Sequence, residues 1–322
     1  MKVDRNKFFE LQKRLAIIPF TQTEEWLEHS YGEVLERICY FVDSDTDPQI
    51  VAFAHLRSRP VLGQRLMFDG ICKSNKATSN QIRFFFKCIV EEGYDIIHVS
   101  DIDEYNPEFE VGIRRAGFKR PLGIHLCPMS MIVDLQKPYN FARNWRRNVK
   151  KAHENGCTFI AIENPSRDDA KEFVRLFGEL KERKALHFSL TEDKLLPLFE
   201  NGNYKIFKIN SGGINVCARI SYTNNGLVYD VYAANSDEAI SMGAAYMIQE
   251  EIFQYFKQQG LERFDYGRIP PSDGKMDNIY IAKSYSGGRP IGYNGEWEYC
   301  NKLWRAYFFS LYSFAYHHTQ LY

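Results

Sequence analysis

A weak internal repeat constrains this 322-residue chain more than any other feature of its sequence. In the first half, "NQIRFFFKCIVEEGYDIIHVSD" has the pattern of a helix that ends at Gly93, followed by a strand that ends on Asp101. In the second half, "AAYMIQEEIFQYFKQQGLERFDYG" repeats this order, with Gly260 after the helix and Asp265 at the end of the strand. Alternating apolar runs that predict antiparallel strands precede both helices. The repeat therefore predicts an α/β protein with two similar domains, each with a mixed sheet flanked by helices.

The predicted domains are residues 1–136 and residues 137–297, because Pro138 breaks the pattern between the two halves. The basic stretch "NFARNWRRNVKKAHENG" predicts a helix at the start of the second domain, which we expect to carry the functional site. Residues 298–322 predict a C-terminal helix. Because this helix is rich in aromatic residues, we expect it to pack back onto the body, and whether it packs on the first domain stays open.

Composition and charge narrow the function classes. Lys and Arg together number 41 and so do Asp and Glu, so no overall field attracts nucleic acid or an anionic membrane, and polyanion binding requires a local patch. The seven cysteines form no C-x-x-C pair, which is typical of free thiols in a reducing compartment. The N-terminus lacks the pattern of a signal peptide and no apolar run is long enough to cross a bilayer, so we expect a cytoplasmic protein. The scattered histidines predict no metal site, and we expect no cofactor.

The basic stretch and the helix–glycine–strand stretch quoted above, together with the run "NIYIAKSY", resemble the FemABX family of non-ribosomal peptidyl (aminoacyl) transferases, which belong to the GNAT superfamily. "FARNWRRNVKKAHENGCTFI" is similar to the basic helix and strand that open the family's second domain. "GLVYDVYAANSDEAISMGAAYMIQEEIFQYFKQQGLERFDYGR" is similar to its strand, loop, helix and strand, and "NIYIAKSY" is similar to its phenylalanine–lysine stretch, with Ala282 in place of the phenylalanine. The resemblance implies two tandem domains of the GNAT (acyl-CoA N-acyltransferase) fold. It also implies an aminoacyl-tRNA donor and a peptidoglycan precursor as acceptor.

The chain departs from related sequences in two respects. It lacks the long helical hairpin that some FemABX members insert, so it resembles the shorter members. It also lacks the R/Q-x-x-G-x-G/A loop with which ordinary GNAT enzymes hold the pyrophosphate of acetyl-CoA. The corresponding loop reads "ANSDEAISMGAA" and contains no basic residue, which argues against acetyl-CoA as donor.

The basic helix carries a stripe of cations at spacings of three and four residues: Arg143, Arg146, Arg147, Lys150 and Lys151. Like charges arranged in this way destabilise a helix unless an anion neutralises them. A guanidinium group binds two phosphate oxygens at once, so the stripe suits a pyrophosphate or the phosphates of a tRNA acceptor stem. The alternative is a solvated face that acids from elsewhere in the chain neutralise.

Lys283 lies in an apolar run, and the resemblance places the family's active-site lysine at this position. A lysine in a partly apolar cleft can stabilise the oxyanion that forms when an amine attacks an ester. The alternative is a lysine on a strand that extends its side chain into solvent.

Four more residues are candidates for the site. Asp230, in the apolar run "VYDVYAA", can have a raised pKa and accept a proton from the attacking amine, and Tyr232 is predicted on the same face of that strand. Asp265 ends a strand where open sheets bind ligands, and Arg268 follows it closely enough to pair with it or with a substrate carboxylate. The alternative for Asp265 and Arg268 is a structural ion pair at the corner that precedes residues 270–271.

These residues predict an aminoacyl or acyl transferase that forms an amide on an amine acceptor, with peripheral membrane association if that acceptor is lipid-linked. Two alternatives stay open. One is an N-acyltransferase that uses an acyl-CoA or carrier-protein thioester in cell-surface polysaccharide synthesis. The other is a binding module that keeps the fold without activity.

Overall fold

The computed structural model describes residues 1–60, 62–121, 129–186, 188–269, 277–302, 304–305, 307–308 and 311. In this part of the chain the helices are α1 (Arg5–Gln12), α2 (Glu24–Tyr31), α3 (Ser79–Glu91), α4 (Pro107–Arg115), α5 (Arg143–Glu154), α6 (Arg167–Lys184), α7 (Glu192–Leu195), α8 (Asp237–Met242), α9 (Ala244–Gln258) and α10 (Asp277–Ser284). Short 3-10 helices are formed by Phe20–Gln22, Gly32–Arg37 and Leu196–Phe199. The strands are β1 (Lys2–Val3), β2 (Ile38–Val42), β3 (Ile50–Arg59), β4 (Gly63–Asp69), β5 (Cys72–Lys73), β6 (Ile96–Glu104), β7 (Met129–Asp134), β8 (Thr158–Ile162), β9 (Tyr204–Ser211), β10 (Ile214–Asn224), β11 (Leu227–Asn235), β12 (Arg263–Asp265) and β13 (Arg289–Cys300).

The chain divides into two compact units. The first comprises Met1–Leu27, Tyr31–Ser130 and Ile291–Tyr322, and the second comprises Glu28–Ser30 and Met131–Pro290. The predicted domains, residues 1–136 and 137–297, meet a few residues after the point where the first unit gives way to the second. These domain ranges stay a prediction.

The sheet of the first unit has the strand order β1-β2-β3-β4-β6-β13, with β5 paired to β3. Its strands are antiparallel except for β4 and β6, which are parallel neighbours because α3 connects them. Helix α3 begins with a capping box formed by Thr78 and Gln81. Its apolar face packs with α4 over a core that includes Phe68, Phe86 and Trp297. The side chains of α1 contribute to a second cluster around Phe8 and Phe53.

The sheet of the second unit has the order β7-β12-β11-β10-β9-β8, and here β11 and β12 are the parallel neighbours. Helix α9 connects these two strands as α3 connects β4 and β6, so the repeat seen in the sequence is present in the fold. Both connecting helices are followed by a glycine in the left-handed region, Gly93 with φ of +86° and Gly260 with φ of +79°. The predicted α/β fold with mixed sheets and flanking helices is therefore confirmed.

The prediction of a helix over residues 298–322 is wrong for its first residues. Residues 298–300 are the end of strand β13, where Glu298 pairs with His98 and Cys300 with Ile96, instead of the first turn of a helix. Backbone hydrogen bonds to β6 stabilise these residues as a strand, and this pairing outweighs the helix that their local sequence predicts. The described residues between 304 and 311 are helical. Their large apolar side chains are exposed, contrary to the expectation that the helix hides them.

Two further observations bear on the expectations from composition, and a third concerns the acid Asp101. The six described cysteines are free thiols, and Cys127 lies outside the described residues. Among the residues that the structure describes, no helix is long and apolar enough to span a membrane. The acid Asp101 is fully buried on β6 and accepts a hydrogen bond from Lys73 Nζ at 2.6 Å.

Candidate active site

Lys283 lies in the last turn of helix α10, so the alternative that placed it on a strand is wrong. Periodicity alone does not separate a short apolar helix from a strand, which is why the run around Lys283 misleads. The side chain is half-buried, and its Nζ donates a hydrogen bond to the backbone oxygen of Tyr266 at 2.9 Å. The ammonium also lies 5.5 Å from the centre of the Tyr266 ring, which favours a cation. Lys283 is therefore held at the end of β12 and is not directed into bulk water.

Asp230 forms a buried ion pair that the sequence analysis missed. Its Oδ2 accepts a hydrogen bond from Nη1 of Arg219, and the two side chains are 6% and 13% exposed. Burial raises the pKa of Asp230, while the positive charges of Arg219 and Lys283 oppose that rise. The sequence did contain a signal for this pair, since an arginine in one strand and an aspartate in the next flank the tight turn at residues 225–226. Asp230, Arg219 and Lys283 thus form one charged cluster.

Tyr232 does not belong to this cluster, although the sequence placed it on the same face as Asp230. The register between β10 and β11 shifts: Ser221 pairs with Asp230, but Ile220 pairs with Tyr232. The extra residue, Val231, makes a β-bulge that turns Tyr232 to the opposite face of the sheet. The prediction of a shared face is therefore wrong, and a bulge of this kind has no signal in the residue pattern.

On that opposite face, the hydroxyl of Tyr232 donates a hydrogen bond to Nε2 of His29 at 2.8 Å. Nδ1 of His29 donates to the backbone oxygen of Lys194 at 2.6 Å, which fixes the tautomer. Burial lowers the pKa of His29, so the ring is neutral at neutral pH. The Tyr232 ring also packs edge-on against Phe177 of α6, with ring centroids 6.4 Å apart. These contacts assign Tyr232 to the packing of α6 on the sheet.

Asp265 and Arg268 lie at and after the end of β12. The carboxylate of Asp265 is buried and accepts a hydrogen bond from the backbone N–H of Gly267 at 2.8 Å, which shapes the turn. Gly267 has a φ of +71°, and a Cβ there would lie 3.1 Å from the backbone oxygen of Asp230. Arg268 is half-buried. The roles predicted for these two residues stay predictions.

The basic stripe lies on α5 as predicted. Trp145, Val149 and Ala152 form the buried face of this helix, and Trp145 Nε1 donates a hydrogen bond to Glu250 of α9 at 2.8 Å. The opposite face exposes the five cations of the stripe. Within the described part of the chain, only one of the five has an acid within 4.0 Å, the exposed pair Lys150–Glu154 at 3.6 Å. An exposed ion pair of this kind contributes little free energy, and the other four cations have no such partner among the described residues. The positive charge of the stripe is therefore largely uncompensated.

The stripe begins beside the helix that carries Lys283. The backbone N–H of Ala142, one residue before α5, donates a hydrogen bond to the oxygen of Tyr285 at 2.9 Å. Tyr246 of α9 has a raised pKa, mainly because it is partly buried, and it lies close enough to Arg147 of α5 and to Tyr285 for both to influence that pKa. The start of α5 and the end of α10, which carry the stripe and Lys283, are therefore neighbours in the second unit.

The junction between α8 and α9 is closed by backbone from α5. Gly243 has a φ of +81°, and a Cβ at this residue would lie 2.3 Å from the carbonyl oxygen of Asn148. The backbone of α5 therefore packs closely against this junction, whose loop contains no basic residue.

Comparison with known proteins agrees with this architecture. Residues 140–277 match a family model described as an acetyltransferase (GNAT) domain, a range that includes α5, β11, α9 and β12. No curated protein sequence matches the chain. A crystal structure of FemX superimposes with a TM-score of 0.74 at 15% identity, covering 96% of this chain and 99% of that one.

Two further solved structures are similar over most of their length. The structure of L-PGS from Bacillus licheniformis has a TM-score of 0.65 at 18% identity, covering 96% of this chain and 95% of that one. A tandem GNAT protein from the clavulanic acid biosynthesis pathway has a TM-score of 0.52 at 8% identity, covering 93% and 97%. Residues 140–277 are therefore a GNAT-type transferase domain, and the fold of the chain is similar to that of FemX. This likeness of fold agrees with the resemblance that the basic helix and the strand–helix–strand motif carry.

Proposed function

We propose that this chain is an aminoacyl transferase that takes its donor from aminoacyl-tRNA and forms an amide on an amine of a peptidoglycan precursor, in the cytoplasm. In this reaction the amine nitrogen attacks the ester carbonyl, the C–N bond forms, and the C–O bond to the tRNA ribose breaks. One proton leaves the amine and one is taken up by the departing hydroxyl. The reaction needs a cation near the carbonyl oxygen and a group that handles these protons.

The position of Lys283 is the observation that carries the proposal. A half-buried ammonium held at a strand end stabilises a developing oxyanion more strongly than one in water, because its field is less screened. Asp230 lies within the same charged cluster and has a raised pKa, which suits it to accept the proton of the attacking amine. Asp265 is the alternative acid, because it ends the neighbouring strand β12.

The charge on α5 supports a donor that carries several phosphates. Arg143, Arg146 and Arg147 are exposed on one helix, and no acid described in this chain lies within ion-pairing distance of them. We propose that these arginines and Lys150 hold the tRNA acceptor stem, while Arg268 binds a substrate carboxylate. The lack of a basic residue in the loop before α9 argues against an acyl-CoA held there by its pyrophosphate.

A direct assay tests this proposal. The protein is incubated with pools of aminoacylated tRNA and with soluble or lipid-linked muropeptides, and the acceptor is analysed by mass spectrometry. We expect a mass gain of one amino-acid residue that is lost in Lys283→Ala. A gain from acyl-CoA or an acyl-carrier thioester, with none from any tRNA pool, would favour the N-acyltransferase alternative. If no donor gives any transfer, the hypothesis that remains is a binding module without activity.

A further inference from the structure

The C-terminal helical residues carry an exposed apolar stripe. Trp304, Tyr307, Phe308 and Leu311 occur at the spacing that places side chains on one helix face, and they are 50%, 59%, 45% and 69% exposed. Scattered single apolar residues are normal on protein surfaces, but four large ones on one face form a patch. The patch therefore indicates a surface that meets an apolar partner.

The start of this helix is fixed to the body of the first unit. Nδ2 of Asn301 donates a hydrogen bond to Oδ1 of Asp95 at 3.0 Å, and Arg305 forms an ion pair with the same carboxylate. Asp95 also accepts a hydrogen bond from the backbone N–H of Gln64 at 2.8 Å, at the start of β4. The hairpin between β3 and β4 is thus anchored to the same carboxylate as the apolar stripe.

That hairpin contributes exposed arginines. Arg57 and Arg59 are exposed at the end of β3, and Arg59 pairs in register with Gly63 next to Asp95. Nε of Arg57 donates a hydrogen bond to His55 at 3.2 Å, and no acid in the described chain lies within ion-pairing distance of Arg57 or Arg59. The two arginines therefore place uncompensated positive charge on this hairpin, although the formal net charge of the chain is zero.

We propose that the apolar stripe and the two arginines form a docking face for a membrane surface that contains anionic phospholipid. Trp, Tyr, Phe and Leu beside arginines are the combination that places a helix in the headgroup region of a bilayer. Tryptophan and tyrosine favour that region because their rings are apolar and their N–H or O–H groups stay hydrated. This docking face uses only residues of the first unit and does not depend on the proposed reaction.

The test measures binding of the full-length chain to sedimenting vesicles of phosphatidylcholine, either alone or with roughly a third of phosphatidylglycerol. We expect at least about tenfold tighter binding to the anionic vesicles, with an affinity that falls as salt rises. Arg57→Gln with Arg59→Gln should weaken that binding by about fivefold for each charge removed. Trp304→Ser with Phe308→Ser should weaken binding to both kinds of vesicle by at least about tenfold.

Matched variants on other surfaces control for a general loss of charge or apolar area. Arg83→Gln with Lys87→Gln removes two exposed cations from α3, and Ile214→Ser removes an apolar side chain that is 64% exposed on β10. Both should bind like the wild type. Equal binding by all variants, or no binding by the wild type, would overturn the proposal. A change from dimer to monomer in Trp304→Ser with Phe308→Ser, without a change in vesicle binding, would assign the stripe to a second copy of the chain.

Discussion

Lys283 Nζ donates a hydrogen bond to the backbone oxygen of Tyr266 at 2.9 Å, which fixes the cation at the end of β12. A backbone carbonyl orients an ammonium without neutralising its charge. The same ammonium contributes to the electrostatics of Asp230 on the adjacent strand. Strands β10 and β11 and helix α10 therefore bring together the charged groups of Arg219, Asp230 and Lys283.

The first prediction concerns Lys283. We expect Lys283→Ala to lower kcat for amide formation by about 10²–10³, the usual effect of removing one oxyanion-stabilising donor. The substitution should leave the far-ultraviolet circular dichroism unchanged, because the side chain is only half-buried. Single-turnover kinetics with preloaded donor would measure the effect on chemistry. A higher KM with unchanged kcat would assign Lys283 to substrate binding instead.

The second prediction concerns the stripe on α5. We expect Arg143→Gln, Arg146→Gln and Arg147→Gln together to weaken tRNA binding and to reduce the slope of log K against log salt by about 0.7–0.9 for each phosphate that the variant no longer binds. Filter binding over a range of salt concentrations measures this slope. The α3 variant Arg83→Gln with Lys87→Gln is a suitable comparison, because it removes surface charge from the first unit. An unchanged slope in the triple variant would contradict the proposed binding of the donor by this helix.

The third prediction tests the close approach at the α8–α9 junction. Gly243 and Gly260 have nearly the same backbone conformation, with φ of +81° and +79°, but only Gly243 has neighbouring atoms within 4 Å of an added Cβ. Gly260→Ala should therefore cost about 1 kcal/mol of unfolding free energy, from the left-handed conformation alone. Gly243→Ala should cost a further ~1–3 kcal/mol, because the carbonyl of Asn148 must move. Urea denaturation of both variants gives the difference, and equal costs would refute the close approach.

The fourth prediction concerns the pH dependence of stability. Burial holds the pKa of His29 below its usual value of 6.5, so the unfolded chain binds a proton more readily than the folded one. The contribution of His29 is therefore fully present above pH ~6.5 and is lost as the pH falls through the lower folded pKa. Urea midpoints of the wild type should decline more steeply than those of His29→Gln between about pH 7 and pH 5. Parallel profiles would mean that His29 does not titrate differently on folding.

Much of this architecture follows from the pattern of residues. The glycines after α3 and α9, the alternating runs that became β3, β9, β10 and β11, and the stripe on α5 are local signals with a direct structural meaning. The alternative that placed Lys283 on a strand was wrong, because eight residues of mixed apolar character fit both a helix and a strand. The end of the chain was misjudged for another reason, since residues 298–300 take their conformation from pairing with β6.

The sequence alone determined the repeated helix–glycine–strand order, the cationic face of α5 and the lack of a basic phosphate-binding loop, because each depends on neighbours within a few turns. Tertiary structure alone decided which charges meet. It placed Arg219 on Asp230, and through a bulge at Val231 it turned Tyr232 to the opposite face to bind His29. Register, bulges and burial arise from contacts between distant segments, and these contacts have no local signature for a single sequence to show.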